Sequence, residues 1–466
     1  MYSPDDAPSH SAPGNGAAYI QLELNFERKG KYENVTMETE GQIEIAAVRG
    51  TTLEIGDSYN GTTYYCCTKT LADQAVLPSC TEEKVDRLIV RNHHVEAKPV
   101  VFYKGNGAAS AHGGNSKFHV TKSGPHVLVM SNCDPRLKHY EVSFSGESRW
   151  MNPYGFLPAT TYAFLPFFGS MSLIYGLLAL VWLVLNALHW RDVVMLQNYI
   201  TCVLGVCLVE NMILYFDYAH FNATGARHEF VFVLGIIITM VRRTISRMLI
   251  MAVSIGFAIV RPDLGKNKKH ILNFGVVYFC LGLTQQILMD LAKVHTGIGD
   301  RWRTLLSIPV AAADSGCYWF IFISLYHLIT MLRVRQQIVK LSVYKTFTKV
   351  LVFSLICATM FSIYHLYLTA SRQVIQYWKI WWLLDEGIWN ILFCIIFLAI
   401  CFLFRPSQSA KRYAYSQLST DMADDEYGLE DDIGNVEMQP VETDEPLFAL
   451  GDDEEPVVDK KTAKVD

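Results

Sequence analysis

A chain of 466 residues that is 51% hydrophobic and 12% aromatic is too apolar to be wholly soluble and long enough for more than one domain. Its 40 basic and 45 acidic residues leave a formal charge of −5, so no global basic field invites nucleic acid. With no carboxylate pair beside a nucleophile, no phosphate loop and no metal-ligand spacing, the sequence reads as neither an enzyme nor a cofactor or metal protein. Charge and hydropathy divide it into three parts: a polar, mixed region over residues 1–150, an apolar region over 155–405, and a tail over 406–466 dominated by Asp and Glu.

The first residues, MYSPDDAPSHSAPGNG, lack the apolar core and basic flank of a secretory signal. A lumenal domain of this size calls for one, so the chain reads as mature or truncated, or as the product of a flawed gene model. From Tyr19, the run YIQLELNFE alternates Ile20, Leu22, Leu24 and Phe26 with polar neighbours, as a strand with one buried face does. Similar short runs follow at 42–48, 88–90, 100–103, 117–120, 126–130 and 140–144, separated by Gly, Ser and Asn, and predict an antiparallel β-sandwich. Cys66, Cys67, Cys80 and Cys133 lie in this part. Neighbours such as Cys66 and Cys67 are unsuited to pair with each other, because a disulfide needs a specific Cα separation; one or two bridges to Cys80 and Cys133 are expected, as staples rather than redox groups. His93 and His94 form a doublet without nearby ligands and read as surface residues.

Seven apolar runs follow, near 161–187, 194–217, 229–260, 270–292, 305–332, 346–370 and 380–404, each of a length to cross a bilayer, for which ~20 residues suffice. Lys and Arg concentrate in the loops after the first, third and fifth runs and at the start of the tail, which places the amino terminus outside or in the lumen and the tail in the cytosol. The sequons at Asn34, Asn60 and Asn222 all fall on the lumenal side of that arrangement, where a glycan can be added. Pro166 and Pro309 can kink the first and fifth helices, and Trp378, Trp381 and Trp382 read as an interfacial aromatic belt. His327 and His365 lie on apolar faces and read as packed side chains.

The third run holds the most unusual chemistry. Arg242, Arg243 and Arg247 sit inside IIITMVRRTISRMLIM; at 1.5 Å per residue, Arg242 lies roughly 18 Å and Arg247 roughly 25 Å from Phe230. Arg243 and Arg247 share a face, with Arg242 turned about 100° away. Each arginine costs ~2.5 to 3.5 kcal/mol at a helix centre unless partners or water offset it. The other runs offer Glu210, Asp217, Asp290, Asp314, Asp385 and Glu386, which are expected to face a common interior. That interior is either a brace of ion pairs that fixes helix packing or a polar cavity that binds a ligand or conducts.

Beyond Phe404 the chain turns acidic, with DMADDEYGLEDD and GDDEE, and is expected to be disordered. Tyr415-Ser-Gln-Leu418 fits Y-x-x-Φ, in which an aromatic ring and an apolar side chain fill the pockets of a clathrin adaptor.

The stretches SGPHVLVMSNC, MNPYGFLPATTYAFLPFFGSMSLIYG, SRMLIMAVSIGFAIVRPDLG and DEGIWNILFCIIFLAICFLFRPS resemble the GOLD-domain seven-transmembrane family, also called the lung seven-transmembrane receptor family. The resemblance covers nearly the whole chain apart from its ends and looks closest to the branch with Golgi transmembrane-protein-87-like and fungal Ptm1-like members. It implies a multi-pass helical protein with a lumenal GOLD-like sandwich, resident in the Golgi and cycling with endosomes, with a role in endosome-to-Golgi retrograde transport. The membrane part of the family is similar to Wntless, which implies a cavity open to membrane lipid, with Arg243, Arg247, Asp385 and Glu386 as the motif-matched candidates. Cargo proteins on the lumenal side and adaptors on the tail are the partners expected. A Golgi cation channel, with Asp385 first to attract the ion, is the alternative. G-protein signalling stands third, since neither D-R-Y nor N-P-x-x-Y occurs where rhodopsin-like receptors carry them.

Overall fold

The structure, a computed structural model, describes residues 1–8, 16–31, 39–50, 55–74, 77–91, 97–111, 116–260, 265, 267–294, 300–371 and 377–406, with the side chains of residues 192, 290–294 and 300–307 outside that description. Asn34, the His93–His94 pair, Tyr415, Leu418 and the Asp290 carboxylate therefore lie outside the described residues.

Period-two alternation builds the sandwich. Strand β1 (Tyr19–Gly30) buries Ile20, Leu22, Leu24 and Phe26. It pairs antiparallel along one edge with β9 (Tyr140–Met151) over its full length, and along the other with β6 (Ala108–Ala111) and β7 (Lys117–His119). A second sheet has β2 (Gly41–Arg49) between β5 (Ala97–Phe102) and β8 (His126–Ser131). Ile43, Ile45, Val100 and Phe102 from the second sheet meet the buried face of β1 in one core. A hairpin of β3 (Asp57–Tyr59) and β4 (Thr62–Tyr64) stands apart from both sheets. Asn60, exposed at its turn with φ 49°, is presented as a glycan acceptor would be.

The alternation that buries Phe26 also carries Arg28 inward, to 1% exposure. Its guanidinium is satisfied by three carbonyls, those of Asn106 at 3.0 Å, Thr39 at 2.6 Å and Tyr103 at 2.9 Å. It also lies over the rings of Phe102 and Tyr140. A buried cation can be held by dipoles and ring faces alone when none is left unsatisfied.

The cysteines pair as Cys66–Cys133 and Cys67–Cys80. They close a small lobe that contains α1 (Lys69–Asp73), with Leu77 and Ile89 buried inside it. Residues 88–90, expected as a strand, make only isolated bridges, Cys66 to Leu88 and Ile55 to Val90. The Glu44 carboxylate from β2 accepts the Leu88 N–H at 2.6 Å and ties the lobe to the sandwich.

Seven long helices follow: α2 (Phe164–Leu188), α3 (Met195–Thr224), α4 (Glu229–Ile255), α5 (Asn267–Val294), α6 (Asp300–Val334), α7 (Ile338–Ala370) and α8 (Ile388–Leu403), the last entered through a π-helical turn at Leu383–Gly387. All but α4 are long and apolar enough to cross a membrane; α4 has the length but carries the three arginines. The third run was expected to reach Val260 and instead stops at Ile255. There Gly256 adopts φ 87°, its N–H returns to Ala252 and Val253, and a Cβ would press on Leu328 at 3.0 Å. Pro166 occupies the first turn of α2, where a missing N–H costs nothing, whereas Pro309 lies within α6.

The sandwich is fastened to the bundle through Asn222 near the end of α3. Its carboxamide donates to the Tyr154 carbonyl at 2.9 Å and accepts from the Leu157 N–H at 3.2 Å, while its carbonyl accepts from Phe156 at 3.0 Å. Gly155, at φ 140°, approaches so closely that a Cβ would sit 2.4 Å from the Asn222 oxygens. Asn152, almost fully buried, donates to the Leu157 carbonyl from within the same turn. Asn222, expected to carry a glycan, thus has its side-chain nitrogen and oxygen both bonded within this clasp. Beside this clasp lies a cleft of about 240 Å³ lined by Trp150, Phe156, Pro158 and Trp378 among others.

Within the sandwich, the fully buried Asp134 side chain accepts the N–H groups of Gln42 and Arg136 and the Arg136 guanidinium, the last at 2.8 Å. Burial alone pushes its pKa up, but the bonds from Arg136 and Gln42 outweigh it and hold the carboxyl below its ordinary 3.8. A folded pKa below the unfolded one gives stability that is complete above the unfolded value and lost as pH falls through the folded value. Asp134→Asn is expected to cost about 1–3 kcal/mol at neutral pH. In thermal melts of the full chain in detergent, the gap between wild type and variant should hold steady from about pH 8 to 5 and close below about pH 4.

Candidate functional site

Helix α4 packs against α3, α5 and α6, and its arginines meet three different environments. The side chains of Arg242 and Glu210, 8% and 3% exposed, form an ion pair between α4 and α3. Arg242 also donates to the Asn390 side chain of α8 at 3.1 Å and lies over the Phe393 ring at 5.0 Å. One cation thus joins α3, α4 and α8. With Tyr175, Cys207 and Cys394 buried around it, this is a sealed brace.

Arg247 pairs with Asp314 of α6 at 2.6 Å, but these side chains are 25% and 28% exposed. The guanidinium lies 4.6 Å from the Tyr278 ring of α5 and donates to the Arg243 carbonyl at 3.3 Å. The expected shared face of Arg243 and Arg247 is therefore present. Helix α7, which packs on α6 and α8, buries Tyr344, Phe347, Leu351 and Ser354 and then no residue from 355 to 367. Toward its carboxyl end α7 meets the last helix again, through His365 on Trp381 and Leu368 against Leu384 and Ile388.

Arg243 is the exception. Half-buried, its guanidinium has no hydrogen bond or ion pair among the described residues. Arg242 and Arg247 stand on the same helix, so its nearest charges in sequence are of its own sign. A permanent cation in the middle of an apolar bundle is left available to an incoming anion.

The six carboxylates expected in one interior are dispersed. Glu210 and Asp314 are there. Asp217 instead pairs at 3.1 Å with Arg227, in the turn between α3 and α4, where the guanidinium also lies over the Phe232 ring at 4.5 Å. Asp385 is exposed and its neighbour Glu386 half-buried, both in the π-helical turn that leads into α8, and neither forms an ion pair among the described residues. Arg227 and Asn390 went unremarked in the sequence; the first could have been found as the basic residue nearest Asp217 across the α3–α4 turn. The tryptophans are less of a belt than expected: Trp382 packs on Phe164 and Phe167 of α2, and Trp381 on His365 of α7 at 4.7 Å.

A family model described as the GOST seven-transmembrane domain matches residues 163–411, more than half of the chain. Transmembrane protein 87A of Xenopus tropicalis is 30% identical over 309 residues, 66% of this chain and 55% of the frog protein. Transmembrane protein 87B of Mus musculus is 30% identical over 308 residues, 66% of this chain and 54% of that protein. Membrane protein PTM1 of Saccharomyces cerevisiae is 24% identical over 385 residues, 77% and 69% of the two chains. The chain spans about half the length of the frog and mouse relatives it matches.

Removing one partner of a sealed pair strands the other charge in a low dielectric, whereas removing both does not. Arg242→Leu is expected to destabilise the detergent-solubilised protein by about 3–5 kcal/mol, and Arg242→Leu with Glu210→Leu to recover most of that loss. Thermal midpoints of the two variants check it.

Proposed function

Because the chain belongs to the GOST seven-transmembrane family, we propose that this multi-pass membrane protein works in retrograde traffic from endosomes to the Golgi, holding a lipid or lipid-bearing cargo beside α4. The unpartnered Arg243 carries this reading. Were the arginines only a brace, each would have its own carboxylate, as Arg242 does. Arg243 together with the partly exposed Arg247–Asp314 pair, on a bundle in which α7 has no fully buried residue over 355–367, suits an anionic headgroup entering from the bilayer.

In this reading the sandwich faces the lumen, which agrees with its two disulfides and the exposed Asn60 sequon. The sandwich is the surface for cargo, and Tyr415 with Leu418 gives the cytosolic tail its adaptor contact. The alternative, a cation channel, is served poorly by the same residues. An unpaired arginine beside two paired ones leaves an excess of positive charge, which repels a permeant cation, and Asp385 is exposed rather than enclosed in the interior.

The test is the return of a retrograde cargo from endosomes to the Golgi in cells lacking the protein. Arg243→Leu strands no partner, so it should fold, reach the Golgi at normal abundance and fail to restore return. Arg242→Leu with Glu210→Leu should restore it. Full rescue by Arg243→Leu would remove the headgroup reading, and normal return without the protein would remove the trafficking role and make ion flux in liposomes the next measurement.

A further inference from the structure

Strand β9 ends the four-stranded sheet, and among the described residues no strand pairs with its outer edge. It is 12 residues long, and every residue from Ser143 to Arg149 is exposed. Long open edges recruit other strands, and proteins ordinarily guard them with Lys, Pro or short length. Residues 142–148, VSFSGES, contain neither Lys nor Pro. The second sheet does not cover this strand: Phe144, whose partner Phe26 is buried, remains 60% exposed.

We propose that β9 is a homotypic docking edge, pairing antiparallel with β9 of a second copy about a dyad through Ser145. The strand's own charge pattern selects this occupant and register. A dyad normal to the sheet keeps each face on its own side, so odd residues can oppose only odd ones. Centred on Ser145, Glu141 of each copy lies opposite Arg149 of the other, giving two opposite-charge pairs and no like-charge pair. Phe144 then lies opposite Gly146, where an aromatic ring covers the backbone that an edge glycine leaves bare. Moving the dyad to Phe144 sets Glu141 against Glu147; moving it to Gly146 sets Arg149 against Ser143 and loses both pairs. Among the described residues of one molecule, Arg149 forms an ion pair only with Glu147, at 3.9 Å with both side chains mostly exposed, a contact worth little and readily exchanged. Met151, where the chain turns to the membrane domain, lies at opposite ends of the paired ribbon in the two copies.

Cysteine substitutions on the full chain in mild detergent test the register. At the dyad, Ser145 faces its own copy at a Cα separation of about 4.5–5.5 Å, inside the range a disulfide spans. Ser145→Cys is therefore expected to form a covalent dimer under mild oxidation in at least about tenfold greater yield than Ser143→Cys, which faces residue 147 instead. A mixture of Ser143→Cys and Glu147→Cys proteins should cross-link to each other. In the Ser145→Cys background, Glu141→Arg should weaken dimer formation about tenfold or more, and adding Arg149→Glu should restore it. All these side chains are exposed, and unchanged thermal midpoints confirm that the variants fold. A Ser145→Cys protein that stays monomeric, a dimer yield shared with Ser143→Cys, or indifference to the charge reversal would each overturn the proposal.

Discussion

A guanidinium inside a bilayer cannot shed its charge, so the rest of the bundle must be arranged around it. Apolar helices in lipid have little preference for one rotation over another, since hydrocarbon tails solvate Leu and Ile as well as a neighbouring helix does. Arg242 removes that freedom. It requires Glu210 from α3 and Asn390 from α8 at one depth and one rotation of each helix, and Arg247 imposes the same demand on α6 through Asp314. Five residues thereby set the mutual register of four helices that their apolar surfaces alone would leave degenerate.

The protein holds buried cations in two chemically different ways. Arg28 in the sandwich is surrounded by carbonyls and ring faces and has no carboxylate; Arg242 in the bundle has a carboxylate, an amide and a ring. Loops supply carbonyls that are free to turn inward, whereas helix interiors have already committed theirs to the i−4 ladder. A membrane arginine draws chiefly on side chains, with at most a glancing bond to its own helix, as Arg247 makes to the Arg243 carbonyl at 3.3 Å.

Much of this was legible in the sequence because it follows from fixed periods. Alternation gave β1 its buried face, and the spacing of the arginines placed Arg243 and Arg247 on one side. Glu210 and Asp314 were two of six carboxylates the apolar runs offered, and which arginine each meets came from the structure. The misreadings have physical causes. Asp385 and Glu386 were expected together in the interior, but they fall in a π turn, Leu383–Gly387, where one is exposed and the other half-buried. Asp217 found Arg227 because the α3–α4 turn is short enough to fold its own basic residue back. Asn222 carries a glycosylation signal in three letters, but a tripeptide contains no information about the Gly155 backbone that docks against it.

That docking has a mechanical consequence. Linkers between domains ordinarily dissipate motion by bending, yet here the backbone of residues 154–157 is bonded directly to a helix end through both the side chain and the carbonyl of Asn222. The sandwich and the α3–α4 hairpin therefore form a lever with its fulcrum at the membrane surface. A tilt imposed on the sandwich would be delivered as torque along α3 to Glu210, and so to one of the two ion pairs that register the bundle.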